Sequence, residues 1–244
     1  MKTIQTTTHR NCFFFFLFLL LSTTPFVARA FESPQDTANR LQMRYDGIHS
    51  LSFDFIQDTR GQLSGRPKKG RGQAFFVKSS KHDTKAKQAG RMRWNYSDPD
   101  LQVLVSDGET FSMYFATLKQ MIVSSAESLK QDLTYSFFTG SGNLLQDFNI
   151  LASEEDLNDV QEAQEQSAIV KLTPKSSQSQ VASIQLWITD DSLIRRIEIL
   201  DHFDTLTVLN FSNIKVNTLS PDDTALMQHL FSFTPPEGTE IIHQ

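Results

Sequence analysis

Residues 90–120, GRMRWNYSDPDLQVLVSDGETFSMYFATLKQ, decide the fold. Met92, Trp94 and Tyr96 alternate with Arg91, Arg93 and Asn95, the two-residue period of a strand with one apolar face. Pro99 and its neighbours break the run. Residues 101–105 read as a second strand, which reaches Asp107-Gly108, a hairpin dipeptide that predicts positive φ at both turn positions. Residues 110–115 return, and residues 119–123 begin another strand. Leu101, Val103 and Val105 share one face; Leu104, Phe111 and Met113 share the other. A sheet with one wet face has no use for that pattern, so both faces are predicted to be covered.

Upstream, Ser33-Pro34-Gln35-Asp36 reads as a helix start, with a capping serine and proline at the first helical position. Ala38, Leu41, Tyr45 and Ile48 then recur at helical spacing, which predicts a helix lying on a sheet or capping a cavity. Leu51, Phe53 and Phe55 begin the sheet. Residues 61–72, glycine-rich and basic, read as a turn region, and residues 73–78 as a strand with Phe75 and Phe76 facing opposite ways. Residues 79–90 carry Lys81, His82, Lys85 and Lys87 and predict a solvated loop, or a docking site for a partner.

Downstream, the period changes. Leu129, Leu133 and Phe137 sit four apart with Phe138 beside them and Gly140 as the stop, so residues 125–140 predict a second helical element. Its greasy face suits a movable cover over an apolar interior, or an ordinary packed crossover. Residues 153–166 are acidic and read as a surface loop or frayed helix. Strands follow at 168–172, 182–188, 194–200 and 205–211, then a helix starting at Ser220-Pro221-Asp222-Asp223, and a last strand at Phe231-Ser232-Phe233. About ten or eleven strands in consecutive hairpins make an antiparallel meander. One this long must curl into a barrel or half-barrel, closed or covered by helices.

Residues 1–30 read as a secretory leader, with an uncleaved anchor as the alternative: Lys2, His9 and Arg10 precede an apolar run too short to span a bilayer comfortably, and Ala28-Arg29-Ala30 is a cleavage pattern. Cleavage after Ala30 would leave one domain, residues 31–244, with 20 basic and 28 acidic residues, a net charge of −8. That balance argues against nucleic-acid partners and anionic surfaces. The single cysteine, Cys12, would leave with the leader, and it lacks the context for lipid attachment.

No nucleotide, phosphate-loop or hydrolase motif occurs, and no histidine pair has metal-ligand spacing, so no cofactor, metal or catalytic residue is predicted. His202 and Asp204 flank Phe203 at a turn and are the best available seed for a hydrolase reading. Phenylalanine is abundant instead, with fourteen in residues 31–244. An apolar lining beyond packing need is how a lipid-holding cavity would be written.

Several stretches, in this order, resemble the periplasmic lipoprotein carriers of the LolA type. They are Phe76-Val77-Lys78, residues 91–96, Leu104-Val105-Ser106-Asp107-Gly108, Met113-Tyr114, Lys119-Gln120, Leu172-Thr173-Pro174 and Phe233-Thr234-Pro235-Pro236. The resemblance implies an open, eleven-stranded antiparallel barrel with short lid helices over a hydrophobic cavity. It implies acylated lipoproteins as cargo, taken from an inner-membrane ABC transporter and passed to an outer-membrane receptor by a monomer. Expected lining residues are Phe53, Phe55, Phe75, Met92, Trp94, Phe111 and Met113, with Leu129, Leu133, Phe137 and Phe138 on the lid. Family members place an Arg-Pro pair after the F-V-K strand, and that arginine helps hold the lid; here Ser79-Ser80 stands there. Arg91 and Arg93 are the candidates to replace it, although alternation turns both away from Met92 and Trp94. A carrier or sensor of another lipid on the same fold is the alternative.

Overall fold

Ser33 caps the first helix, α1 (Pro34–Asp46): its hydroxyl accepts from the Asp36 amide, with Pro34 in the first turn. Ala38, Leu41 and Tyr45 fall on one face, and all three are buried with Ile48 just beyond the helix. A computed structural model describes residues 32–61, 67–78, 90–154, 168–176 and 180–244. The leader and the cationic residues Lys81, His82, Lys85 and Lys87 lie outside the described residues, as does the acidic stretch from residue 155 onward.

After α1 come β1 (Ser50–Arg60), β2 (Lys68–Val77), β3 (Arg91–Asp98), β4 (Gln102–Ser106), β5 (Thr110–Phe115) and β6 (Gln120–Ser125), each hydrogen-bonded to the next. A 3-10 turn (Ala126–Gln131), α2 (Leu133–Phe138) and α3 (Leu144–Asp147) lead to β7 (Phe148–Ala152). The second run is β8 (Ala168–Pro174), β9 (Val181–Ile188), β10 (Ile194–Asp201) and β11 (Leu206–Val216), followed by α4 (Thr224–Phe231) and β12 (Glu240–His243). One twelve-stranded sheet results, in the order β12-β6-β5-β4-β3-β2-β1-β11-β10-β9-β8-β7. It is open, with β12 and β7 at its edges, and antiparallel except where β12 joins β6 in parallel. The two meanders meet where β11 pairs with β1. The chain therefore leaves one side of the sheet at β6 and must reach the opposite edge at β7, and α2 and α3 make that crossing.

The covering of both faces, inferred from residues 101–113, holds except at Leu101, which is exposed. On the inner face, Phe53, Phe55, Phe76, Trp94 and Phe111 join Tyr45, Phe138 and Leu172 in the main core. On the outer face, Val77, Val103, Val105, Tyr114 and Met121 pack against Met227 and Phe231 of α4. Burying an apolar side chain of this size stabilises by about 1.5–3 kcal/mol, so α4 is a structural partner of the sheet rather than an appendage.

Five local expectations are corrected. At the β4–β5 turn only Gly108 takes positive φ, at 99°. The Asp107 carboxylate accepts from the Glu109 and Thr110 amides, each at 2.8 Å, and the Asp107 amide donates to the Thr110 carbonyl at 3.3 Å, so side chain and backbone together make the turn. The segment read as a turn through residue 72 is already strand from Lys68, because Gly70 and Gly72 sit in ladder register opposite Gln57 and Phe55. The fourth helix is capped by Asp223, not Ser220. Phe231 ends that helix, so no strand forms at Phe231-Ser232-Phe233, and the last strand is β12. The single helical element expected over residues 125–140 is broken into the 3-10 turn and α2, since Asp132 stops the first and caps the second.

Candidate functional site

Alternation along β1, β2, β3 and β11 brings a block of rings onto the inner face. Phe53 and Phe211 have centroids 4.4 Å apart, Phe55 and Trp94 4.6 Å, Phe55 and Tyr96 4.8 Å, and Phe76 and Phe138 5.0 Å. Edge-to-face and tilted pairs at these spacings fill space closely. Of the expected lining residues, Phe53, Phe55, Met92, Trp94 and Phe111 lie in this core, and Met113 is partly buried against it. Phe75 does not. It packs with the α4 cluster on the outer face, and Phe76 holds the inner position. Sequence parity alone named two opposite phenylalanines; only the register with β1 tells which is inward.

An aliphatic wall continues the same face across β8–β10. Leu172, Ile184, Leu186, Ile194, Ile197 and Ile199 line a cavity roofed by Phe137, Phe138, Leu144 and Phe148. Its volume is about 40 Å³, room for a few waters at most, whereas ligand pockets run to roughly 300–1,000 Å³. Nothing in the sequence reading had singled out these wall residues, because short isoleucine-rich strands look alike whether they pack tightly or loosely. Phe137 and Phe138 are the two expected lid residues that reach the cavity, and Leu129 is buried in the main core. The side chain of Leu133 lies outside the described residues.

Hydrogen bonds from several elements hold the roof. The Tyr135 hydroxyl donates to the Gly90 carbonyl at 2.8 Å, and the Leu144 amide donates to Gln42 Oε1 of α1 at 2.9 Å. Lys175 Nζ donates to the Leu145 carbonyl at 2.7 Å. The Phe137 ring lies 4.6 Å from Tyr45. Burial pushes the Tyr135 phenol up to about 12 and raises that of Tyr45 further, so both stay protonated at ordinary pH; the Tyr135 hydroxyl donates, while that of Tyr45 accepts from the Ile194 amide at 3.1 Å.

Lys78, the last residue of the F-V-K run, takes a position the sequence did not disclose. Its ammonium donates to the Tyr45 carbonyl near the end of α1, where a cation is favoured by the helix dipole. Its stem runs under Gly140, which ends α2 with φ +76°; a Cβ there would stand 2.7 Å from Lys78 Cε. Half-burial lowers the Lys78 pKa from its ordinary value. The two arginines considered for lid control work elsewhere. Arg93 Nη1 donates to the carbonyls of Leu230 and Ser232, at 2.9 and 3.0 Å, and clasps the end of α4. Arg91 Nε donates to the Asp107 carbonyl at 3.3 Å. Both belong to the outer face, as alternation predicts.

Arg91 also borders a second, larger hollow of about 560 Å³ between β4, β5 and α4, where Val105, Met227 and Phe231 mix with Asp107, Glu109, Ser112 and Gln228. His202 and Asp204 stand exposed on the β10–β11 turn, outside both cavity linings. No cluster of metal-ligating side chains occurs among the described residues.

The profile of the family described as "Outer membrane lipoprotein carrier protein LolA" matches residues 46–234. An outer-membrane lipoprotein carrier protein of Methylococcus capsulatus is 28% identical over 92% of this chain and 97% of its own length. One of Nitrosomonas europaea is 30% identical over 63% of this chain and 68% of its own. A solved LolA superfamily protein from Nitrosomonas europaea overlays with a TM-score of 0.37 at 12% identity, covering 83% of this chain and 98% of that one. That overlay is weak, and the assignment rests on sequence.

Proposed function

The chain belongs to the LolA family of outer membrane lipoprotein carrier proteins, and from that premise we propose that it is a periplasmic carrier that holds acyl chains between its aliphatic wall and the α2–α3 roof. The observation that carries this reading is the small apolar gap beneath two short helices, lined by Leu172, Ile184, Leu186, Ile197 and Ile199. At about 40 Å³ it is closed to an acyl chain, so loading requires the roof to lift. Transfer of each acyl CH₂ out of water is worth about 0.8 kcal/mol, which makes an acylated protein dependent on such a shelter and makes the transfer itself a matter of binding rather than of catalysis. The leader at residues 1–30, the inner-membrane ABC transporter as donor and the outer-membrane receptor as acceptor belong to the same proposal, as does action as a monomer.

A release assay tests it. Spheroplasts making a labelled lipoprotein are incubated with the protein and a transporter from the same organism, and the soluble fraction is assayed for a complex. A stoichiometric complex that passes its cargo to outer-membrane vesicles is the expected result. If the label stays with the spheroplasts, the carrier role falls.

A further inference from the structure

At one end of the inner face, rings give way to amides and hydroxyls. Gln57 and Thr59 follow Phe53 and Phe55 at two-residue steps along β1; Tyr96 follows Trp94 on β3, and Thr207 precedes Leu209 on β11. All four are partly buried, and they form one connected strip. The Tyr96 hydroxyl donates to Gln57 Oε1 at 2.8 Å, Gln57 Nε2 donates to Thr59 Oγ1 at 3.1 Å, and the hydroxyls of Thr59 and Thr207 lie 3.2 Å apart. β2 runs between Tyr96 and Gln57, and the contact exists because Gly70 puts no side chain there: a Cβ would stand 3.1 Å from the Tyr96 ring. At Gly72 a Cβ would fall 1.7 Å from the Asn95 carbonyl oxygen, so the strands also approach more closely than a side chain permits. Thr207 pairs with Ile199, a wall residue of the cavity, so the strip borders the apolar space directly.

We propose that Tyr96, Gln57, Thr59 and Thr207 form the subsite for the uncharged ester or amide linkages through which acyl chains are joined to their cargo. This rests on the acyl-chain reading above and adds what sits at the polar end of those chains. Three hydrogens join the four side chains. That leaves the second Gln57 amide hydrogen and one threonine hydroxyl to meet carbonyl oxygens. The charge pattern favours a neutral linkage over a phosphate or carboxylate. Burial, with the Asp132 carboxylate nearby, pushes the Tyr96 phenol up to about 12, so an anion would meet a neutral strip beside an acid. Lys68, opposite Thr59, is exposed at the solvent end of β2.

The test compares probes on protein purified after export: dipalmitoylglycerol, which carries neutral esters, dipalmitoyl phosphatidate, which adds a phosphate, and diphenylhexatriene, which is hydrocarbon only. Thr59→Val with Thr207→Val, and separately Gln57→Leu, are expected to weaken dipalmitoylglycerol binding roughly tenfold while leaving diphenylhexatriene unchanged. Thr207→Ser, which keeps the hydroxyl, should bind as the parent does. Equal losses for both probes would mean that the strip merely supports the fold, and unchanged dipalmitoylglycerol binding would remove it from recognition. A parent protein that prefers the phosphatidate overturns the neutral-linkage assignment. If the parent binds none of the three, the acyl-chain reading itself fails and the subsite falls with it.

Discussion

The inner face has an aromatic half and an aliphatic half, and only one of them is full. Over β1–β3 and β11, Phe53, Phe55, Phe76, Trp94 and Phe211 close on one another with Phe138 seated among them. Over β8–β10, the isoleucines and leucines leave a gap under the same roof. Rings have large flat surfaces and few rotamers, so a block of them is stiff and holds its shape when uncovered. The aliphatic chains beside the gap already lack packing partners on one side, so they have fewer contacts to lose when they separate. The difference is one of packing, and on the carrier reading proposed above it is a division of labour in which one half would keep the sheet in shape and the other would make room.

The largest expected effect would break that division. Phe55→Ala should cost about 3–5 kcal/mol in urea unfolding if the aromatic block is closely packed; a loss near 1 kcal/mol would show that it is as loose as its neighbour. Next in size is Lys78→Met, which removes the bond from the sheet to the Tyr45 carbonyl at the base of the roof. About 1–2 kcal/mol should be lost at neutral pH. Its pH dependence has a definite sign. Burial lowers the folded-state pKa of Lys78 below the ordinary 10.5, so the unfolded chain holds the proton more tightly. The lysine protein should therefore gain stability relative to Lys78→Met as pH rises from that lowered value toward about 10.5, and show no such trend below it. A difference that is flat up to pH 10.5 would mean the ammonium is solvated.

Filling the gap sharpens the comparison. Ile184→Phe should leave stability within about 1–2 kcal/mol of the parent, since space exists for part of the ring, yet weaken diphenylhexatriene binding roughly tenfold. Unchanged binding would place the ligand elsewhere, with the outer hollow beside α4 the next place to look. The smallest effect is expected from Ile197→Val, about 0.5 kcal/mol by thermal unfolding, at the low end for such truncations because its surroundings are already underfilled. A cost above 1.5 kcal/mol would show the aliphatic wall to be tight.

Much of the aromatic half was legible, because period-two alternation in residues 91–96 and 51–55 fixes a face by arithmetic. The covering of both faces was legible for the same reason. What alternation lacks is a sign: it set Phe75 against Phe76 without saying which one faces in, and the answer depends on a register with β1 that only the fold supplies. The aliphatic half was hidden, since Ile184, Leu186, Ile197 and Ile199 show that they are inward but not that their packing is incomplete. Two glycines in residues 68–72 misled, because a glycine that clears space for Tyr96 in a strand is written with the same letter as one that turns the chain. Lys78 was read as the end of a family motif, and its tie to Tyr45 comes from two segments more than thirty residues apart.

The route from β6 to β7 has one more implication, for traffic rather than for packing. A segment bound to opposite sides of the sheet at both of its ends is a strap and not a hinged door. It can bow outward, but it has no free end to swing aside. On the carrier reading, a guest would slide in along the strands, under the strap, and its bulky remainder would stay outside at the rim, never having to be threaded through anything closed.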